Sequence, residues 1–225
     1  MLEKVPTIYD FMIAEGLNDS EKSAIKDKAM QDGTFMKNTK LDEDQWLTVR
    51  TQAFKNWFGD WEDDPENASK VIDNETGEPL VLYHGTEKSF DAFDTRKIGS
   101  SNDPGFYGNG FYFTPDKSKA SGYGENVLAC FLNMRNPFIV KNEEMSSASI
   151  MFGREPGDPM ESYAGDDYES YAGQIREADG VIHCGPSAIR GGEYVEEYVV
   201  NNPVNVKSAD NNSGEFDPGN PNINS

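Results

Sequence analysis

Hydrophobic positions change rhythm near residue 65. Before it they recur at helical spacing. IYDFMIAE, preceded by Thr7 and followed by Gly16, reads as one helix with a polar N-cap and a glycine stop. EKSAIKDKAMQD, preceded by Ser20 and followed by Gly33, reads as a second. The clearest segment follows Asp42. In EDQWLTVRTQAFKNWF, Trp46, Val49, Ala53 and Trp57 fall 3, 4 and 4 positions apart, and Phe54, Phe58 and Trp61 form a second row. Two rows give a wide apolar stripe, so this third helix must pack against another part of the protein; Gly59 is its stop.

After DDPENAS (63–69) the pattern becomes short β-type runs separated by turn signals. Residues 70–84 read as a hairpin, GFYFT (110–114) as a strand, and DKSKASGYG as a short helix. VLACFLNM (127–134), PFIV (137–140), GVIHC (180–184) and EYVVNN (197–202) read as further strands. Residues 141–179 are poorly periodic, with ten Asp/Glu against Lys141, Arg154 and Arg176, and read as a mobile or covering insertion. The Asn/Asp/Gly/Pro-rich stretch from Asp210 reads as loop or frayed terminus. Strands that follow one another with few long helices between them predict an α+β fold with mainly antiparallel pairing. The expected organisation is an N-terminal helical extension over 1–65 and a second domain over 66–225 that carries the insertion. The length of 225 residues fits one domain with an appendage or two small domains.

Charge narrows the function. Forty Asp/Glu against twenty Lys/Arg give a net charge of −20, and the basic residues are scattered. Nucleic acids and anionic membranes are bound through clustered Lys and Arg, so both are disfavoured as partners. No apolar run approaches the roughly 20 residues of a spanning helix, and no basic leader precedes an apolar stretch. The chain reads as soluble and cytoplasmic. Its two cysteines, Cys130 and Cys184, sit in apolar strand-like runs and read as buried, inert thiols. With His84 and His183 they lack the paired short spacings of a zinc site, so no metal is expected. G-N-G (108–110) leads into a strand, the wrong context for a dinucleotide-binding βα turn.

Three strand segments each place one polar residue in an apolar setting: His84 in LVLYHGT, Tyr112 in GNGFYFT and Glu197 in EEYVV. In that order they resemble the His-Tyr-Glu class of ADP-ribosyltransferases, which includes poly(ADP-ribose) polymerases and diphtheria-like toxins. The longer framing resembles in particular the ADP-ribosyltransferase domain of phage and mobile-element polyvalent proteins. It comprises VRTQAFKNWFGDWE, SKVIDNETGEPLVLYHGT, FDAFDTRKIGSSNDPGFYGNGFYFTPDK, EYVVNNPVNVKSADNNSG and NPNI. The resemblance covers roughly residues 45–225.

The resemblance implies the ADP-ribosyltransferase fold, with a split, mainly antiparallel sheet, and NAD as co-substrate. It implies His84 at the adenosine ribose, Gly85 offering its backbone to the carboxamide with Thr86 beside it, and Tyr112 and Tyr123 stacking on nicotinamide. Glu197 is implied as the carboxylate that holds the ribose 2′-OH as positive charge develops. The family's carboxamide-binding serine falls here on Ala120, with Ser118 and Ser121 nearby. Arg96, next to Lys97, is the expected cation for the NAD pyrophosphate. The second Glu of the arginine-modifying branch is absent, because position 195 is Val and strand alternation turns Glu196 to the opposite face. The loop Gly185–Gly192, which carries Arg190, is where acceptor choice is expected. The leading expectation is a mono-ADP-ribosyltransferase acting on a protein, in a host's cytoplasm if phage-encoded. An NAD glycohydrolase and a non-catalytic NAD- or partner-binding module are the alternatives.

Overall fold

The computed structural model describes residues 8–99, 105–141, 143–187 and 191–225. Thr7 and Arg190 lie outside the described residues. Where two helices were expected there is one, α1 (Ile8–Asp32), which runs through Gly16 and Ser20 and ends at Gly33 with φ of +65°. A single interior glycine costs a helix only about 1 kcal/mol, which a continuous run of backbone bonds absorbs.

The Trp-rich segment does the opposite and splits into α2 (Glu43–Thr48) and α3 (Gln52–Phe58). Asp42 caps α2 through a reciprocal box with Gln45. Thr51 makes the break: its hydroxyl donates to the Thr48 carbonyl at 2.8 Å and accepts the Phe54 N–H at 3.3 Å, which starts a new helix. The break wraps the apolar stripe around a partner. Val49, Phe54, Trp57 and Phe58 are almost wholly buried with Phe131 of the third strand and Phe216 of the C-terminal stretch. The Phe54 ring lies edge-on to both, at 5.1 Å. These helices share one core with the strands that follow.

Among the described residues seven strands form two sheets. They are β1 (Leu82–Thr86), β2 (Phe111–Phe113), β3 (Asn126–Leu132), β4 (Phe138–Val140), β5 (Val181–Ser187), β6 (Glu193–Val200) and β7 (Val206–Ser208). One sheet has the order β1-β3-β7 and the other β2-β6-β5-β4. Every pair is antiparallel except β4–β5. The α+β class stands. The expected hairpin at 70–84 is reduced to an Ile72–Pro79 bridge, because Pro79 has no N–H to extend the ladder.

The acidic insertion folds over one face of the four-stranded sheet. Its helices α5 (Glu143–Ala148) and α6 (Tyr168–Glu177) flank two 3-10 turns. Ala148, Phe152 and Ile175 bury against Val181, Val195 and Val199. Between β2 and β3 lies the short α4 (Lys117–Ser121).

Two expectations are corrected. Cys130 is buried, and burial pushes its thiol pKa up, but Cys184 is exposed. Cys184 sits on an outward position of β5, its thiol 3.7 Å from the Tyr198 hydroxyl. Burial, partly offset by that hydroxyl, still raises its pKa, so it is no thiolate at neutral pH. The C-terminal stretch is not frayed. Phe216 and Ile223 are buried, and the wholly buried Lys207 donates to the Asn220 and Asn222 carbonyls and the Ser225 hydroxyl at 2.9, 3.0 and 2.9 Å. Hydrogen bonds rather than an apolar period fold this segment, so its hydropathy pattern carried no signal.

Phe54→Ala removes the ring shared by helices, β3 and the C-terminal stretch. We expect a loss of about 3–5 kcal/mol in urea denaturation.

Candidate active site

The two sheets pack on a shared core and are also bridged through their backbones. Tyr83 of β1 and Thr114, just past β2, exchange backbone hydrogen bonds of 2.8 and 3.1 Å. Antiparallel ladders alternate the direction in which residues aim their polar groups. Tyr83 spends both on Thr114, so Gly85 aims its N–H and C=O toward β2 as well. The next pair in that ladder would be Gly85 with Tyr112. It is not made: the Tyr112 carbonyl instead receives the Nδ1–H of His84 at 2.8 Å. The imidazole occupies the acceptor that the Gly85 N–H would have taken. The strands part there, and a backbone donor and acceptor face the gap between them.

This bond fixes the His84 tautomer. A carbonyl only accepts, so Nδ1 carries the proton and Nε2 is left as an acceptor. The ring is packed by Phe93 at 5.0 Å, Phe113 at 5.3 Å and Phe90 at 6.4 Å. Burial among them lowers its pKa below the usual 6.5, against the opposing effect of the Tyr112 carbonyl, so the imidazole is neutral at neutral pH.

Gly85 is required for a reason the sequence did not reveal. A Cβ there would lie 1.7 Å from the Ala120 carbonyl oxygen and 3.1 Å from Tyr123 Cβ. The missing side chain lets the end of α4 close onto β1, and this seats Tyr123 beside the gap with its ring 59% exposed.

Tyr112 and Glu197 share a face of the four-stranded sheet. Tyr112 opposes Val199, and Glu197, two residues earlier on β6, opposes His183. Diagonal neighbours of this kind lie about 7–8 Å apart. The register puts Glu196 opposite Cys184, on the other face. Glu197 is half-buried, with one carboxylate oxygen removed from solvent. The Tyr112 hydroxyl donates to the Gly108 carbonyl at 2.6 Å and accepts the Tyr107 N–H at 3.1 Å, so the ring face rather than the hydroxyl is offered to a ligand. The His84 ring packs against Phe113, on the side of β2 opposite the Tyr112 ring, and reaches Tyr112 through its backbone.

Two expected residues are committed elsewhere. The Ser121 hydroxyl donates to the Ser118 carbonyl at 2.7 Å. Arg96 is 87% exposed and holds both carboxylate oxygens of Asp94 at 2.9 Å, keeping that carboxyl below the usual range. The Thr86 hydroxyl accepts the Lys88 N–H at 3.3 Å.

The sequence reading missed the residues behind Tyr112. Tyr107 is fully buried, bonds Ser187 through its hydroxyl and sets its ring edge-on to His183 at 4.8 Å. Arg154 of the insertion donates to the Gly105 carbonyl at 3.3 Å. A Cβ on Gly105 would lie 3.1 Å from its guanidinium and 3.3 Å from the Tyr112 hydroxyl. Arg154 is therefore the cation that borders Tyr112. Gly108, with φ of +110°, lets the insertion approach: a Cβ there would sit 2.8 Å from Phe152 Cβ. The only sequence signal for this docking was the glycine density of GFYGNG.

A family described as ADP-ribosyltransferase in polyvalent proteins matches residues 74–216, a span that holds His84, Tyr112 and Glu197. The chain belongs to this family. It therefore carries an ADP-ribosyltransferase domain, of a family that uses NAD as co-substrate. No curated protein matches the chain. Among solved structures it is similar to the crystal structure of an anti-CRISPR protein, at 10% identity and a TM-score of 0.28, over 54% of this chain and 88% of that one. A likeness this weak carries no argument. No helix among the described residues is long and apolar enough to cross a membrane.

Two outcomes follow. Gly85→Ala forces β1 and α4 apart and is expected to cost about 3 kcal/mol or more in denaturant titration. His84 has a depressed folded pKa, so its contribution to stability is complete above pH 6.5 and falls as the pH drops below it. The His84 ring, followed by nuclear magnetic resonance, is expected to titrate below pH 6.5.

Proposed function

We propose that this ADP-ribosyltransferase domain is a mono-ADP-ribosyltransferase that cleaves NAD at its nicotinamide–ribose bond and transfers ADP-ribose to a protein. What supports the reading most is the parted ladder at Gly85. A carboxamide needs one donor and one acceptor side by side, and the freed Gly85 N–H and C=O are such a pair. Tyr123, beside Gly85, and the ring of Tyr112 would take the two faces of the nicotinamide. On this reading the two sheets are the halves of the family's split core.

The chemistry then follows from the residues. As the C–N bond lengthens, its electron pair passes to the pyridinium nitrogen and nicotinamide leaves neutral. Positive charge collects on the ribose. Glu197, on the face of Tyr112, accepts the ribose 2′-OH and strengthens its hold as that charge grows. His84 accepts an adenosine ribose hydroxyl at Nε2. The acceptor nucleophile forms the new bond to the ribose carbon and gives up its proton. The net charge of −20 favours a cationic transition state and opposes the pyrophosphate, and Arg96 is held by Asp94. A protein acceptor is favoured over nucleic acid because the scattered cations offer no phosphate-binding face.

Incubation with labelled NAD and cell lysate is expected to label protein. Glu197→Gln should lower the turnover number by about 100- to 1,000-fold while NAD affinity stays within a few-fold. Equal labelling by both enzymes would overturn the assignment, and release of free ADP-ribose without labelled protein would make water the acceptor.

A further inference from the structure

Lys207 is wholly buried and is not among the residues assigned to NAD. A lysine rarely accepts this position unless each of its donors is matched. Here the ammonium has three N–H groups and three acceptors, the Asn220 and Asn222 carbonyls and the Ser225 hydroxyl. The Ser225 hydroxyl donates onward to Asn222. The segment 220–225 is thus wound around one cation. It does not end there. Ile223 accepts the Ser208 N–H of β7 at 2.7 Å and donates its own N–H to the Asp91 carbonyl at 2.7 Å. Asn222 bridges Ala92, and the Asn224 amide reaches the Asp91 carboxylate at 3.3 Å. Asp91 and Ala92 lie between Phe90 and Phe93, whose rings stack edge-on at 4.9 Å and flank His84.

We propose that Lys207 is a positioning residue for His84. Its ammonium folds the 220–225 turn, the turn fixes Asp91 and Ala92, and these set Phe90 and Phe93 as the wall that holds the imidazole on the Tyr112 carbonyl. The consequence for NAD rests on the role of His84 proposed above; the mechanical link from Lys207 to the His84 ring does not.

Nuclear magnetic resonance of the full chain tests the link. The sequence holds two histidines, so His183, which lies against Tyr107 rather than Phe93, is an internal reference. In Lys207→Met the His84 ring protons, shifted by the surrounding aromatic rings, should move toward the positions of a free imidazole while those of His183 stay in place. Asn224→Ala cuts one strand of the link, leaves Lys207 intact and should move His84 in the same direction by less; it decides the matter where Lys207→Met does not fold. In turnover assays Lys207→Met should raise the KM for NAD about tenfold with kcat within about twofold. Unmoved His84 signals, or His183 moving as far as His84, would overturn the proposal. A chain with no NAD turnover would remove the reading of function, while the histidine spectra would still decide the link.

Discussion

A single side-chain hydrogen bond decides how the two sheets meet. Had the ladder begun by Tyr83 and Thr114 continued, Gly85 would have paired with Tyr112 and its peptide groups would be spent. The His84 imidazole takes the Tyr112 carbonyl first. An imidazole is longer than a backbone amide, so it satisfies the carbonyl while holding the strands apart. The cost of an unpaired carbonyl, about 1–3 kcal/mol if buried, is avoided. The exposed end of the ladder becomes a polar edge available to a ligand. Placing a histidine immediately before a glycine thus has a local meaning. The first residue parts the strands, and the second is small enough to admit α4 and carry the freed groups.

Electrostatics divides the same site into two regions. The face of Tyr112 and Glu197 lies in a strongly acidic protein and suits a developing cation. A dinucleotide also brings phosphates, and the chain's Lys and Arg are few and scattered. Arg96 is neutralised by Asp94 two residues away, in the local turn that Asp94 itself caps. An adjacent cap of this kind is readable only once the turn is known. Arg154 is held differently, by the Ile150 and Gly105 carbonyls, with Asp158 at 3.5 Å. Carbonyl ligands and Asp158 together fix the orientation of this guanidinium against the Gly105 turn.

Much of this was legible in the chain. The strand runs around His84, Tyr112 and Glu197, the helical reading of residues before 65 and the α+β class follow from periodicity and turn residues. What periodicity misjudged is instructive. Thr51 reads as an ordinary helical residue within a good apolar stripe, yet its hydroxyl can cap, and the curvature of the core made capping the better use. Gly16 reads as a stop, yet one glycine cannot end a helix with bonds on both sides of it. The three-residue β7 and the Ile72–Pro79 bridge are too short to leave a pattern at all. Cys184 was misjudged because a β-strand exposes every second residue whatever its neighbours' hydropathy.

The segments with least apolar pattern turn out to brace the site. The acidic insertion brings Phe152 against Gly108 and Arg154 against Gly105, and so backs the wall that carries Tyr112. The C-terminal stretch brings Ile223 and Asn224 to Asp91, and so backs the wall that carries His84. Both add directional bonds to backbone carbonyls to the apolar area they bury. The choice has a physical reason. Apolar contacts tolerate sliding, whereas a carbonyl bonded by a buried cation has one low-energy position. On the reading proposed above, the gap at Gly85 would bind a carboxamide only while its two walls keep their spacing, and the carbonyl bonds that help hold them are the part of this bracing that hydropathy alone could not read.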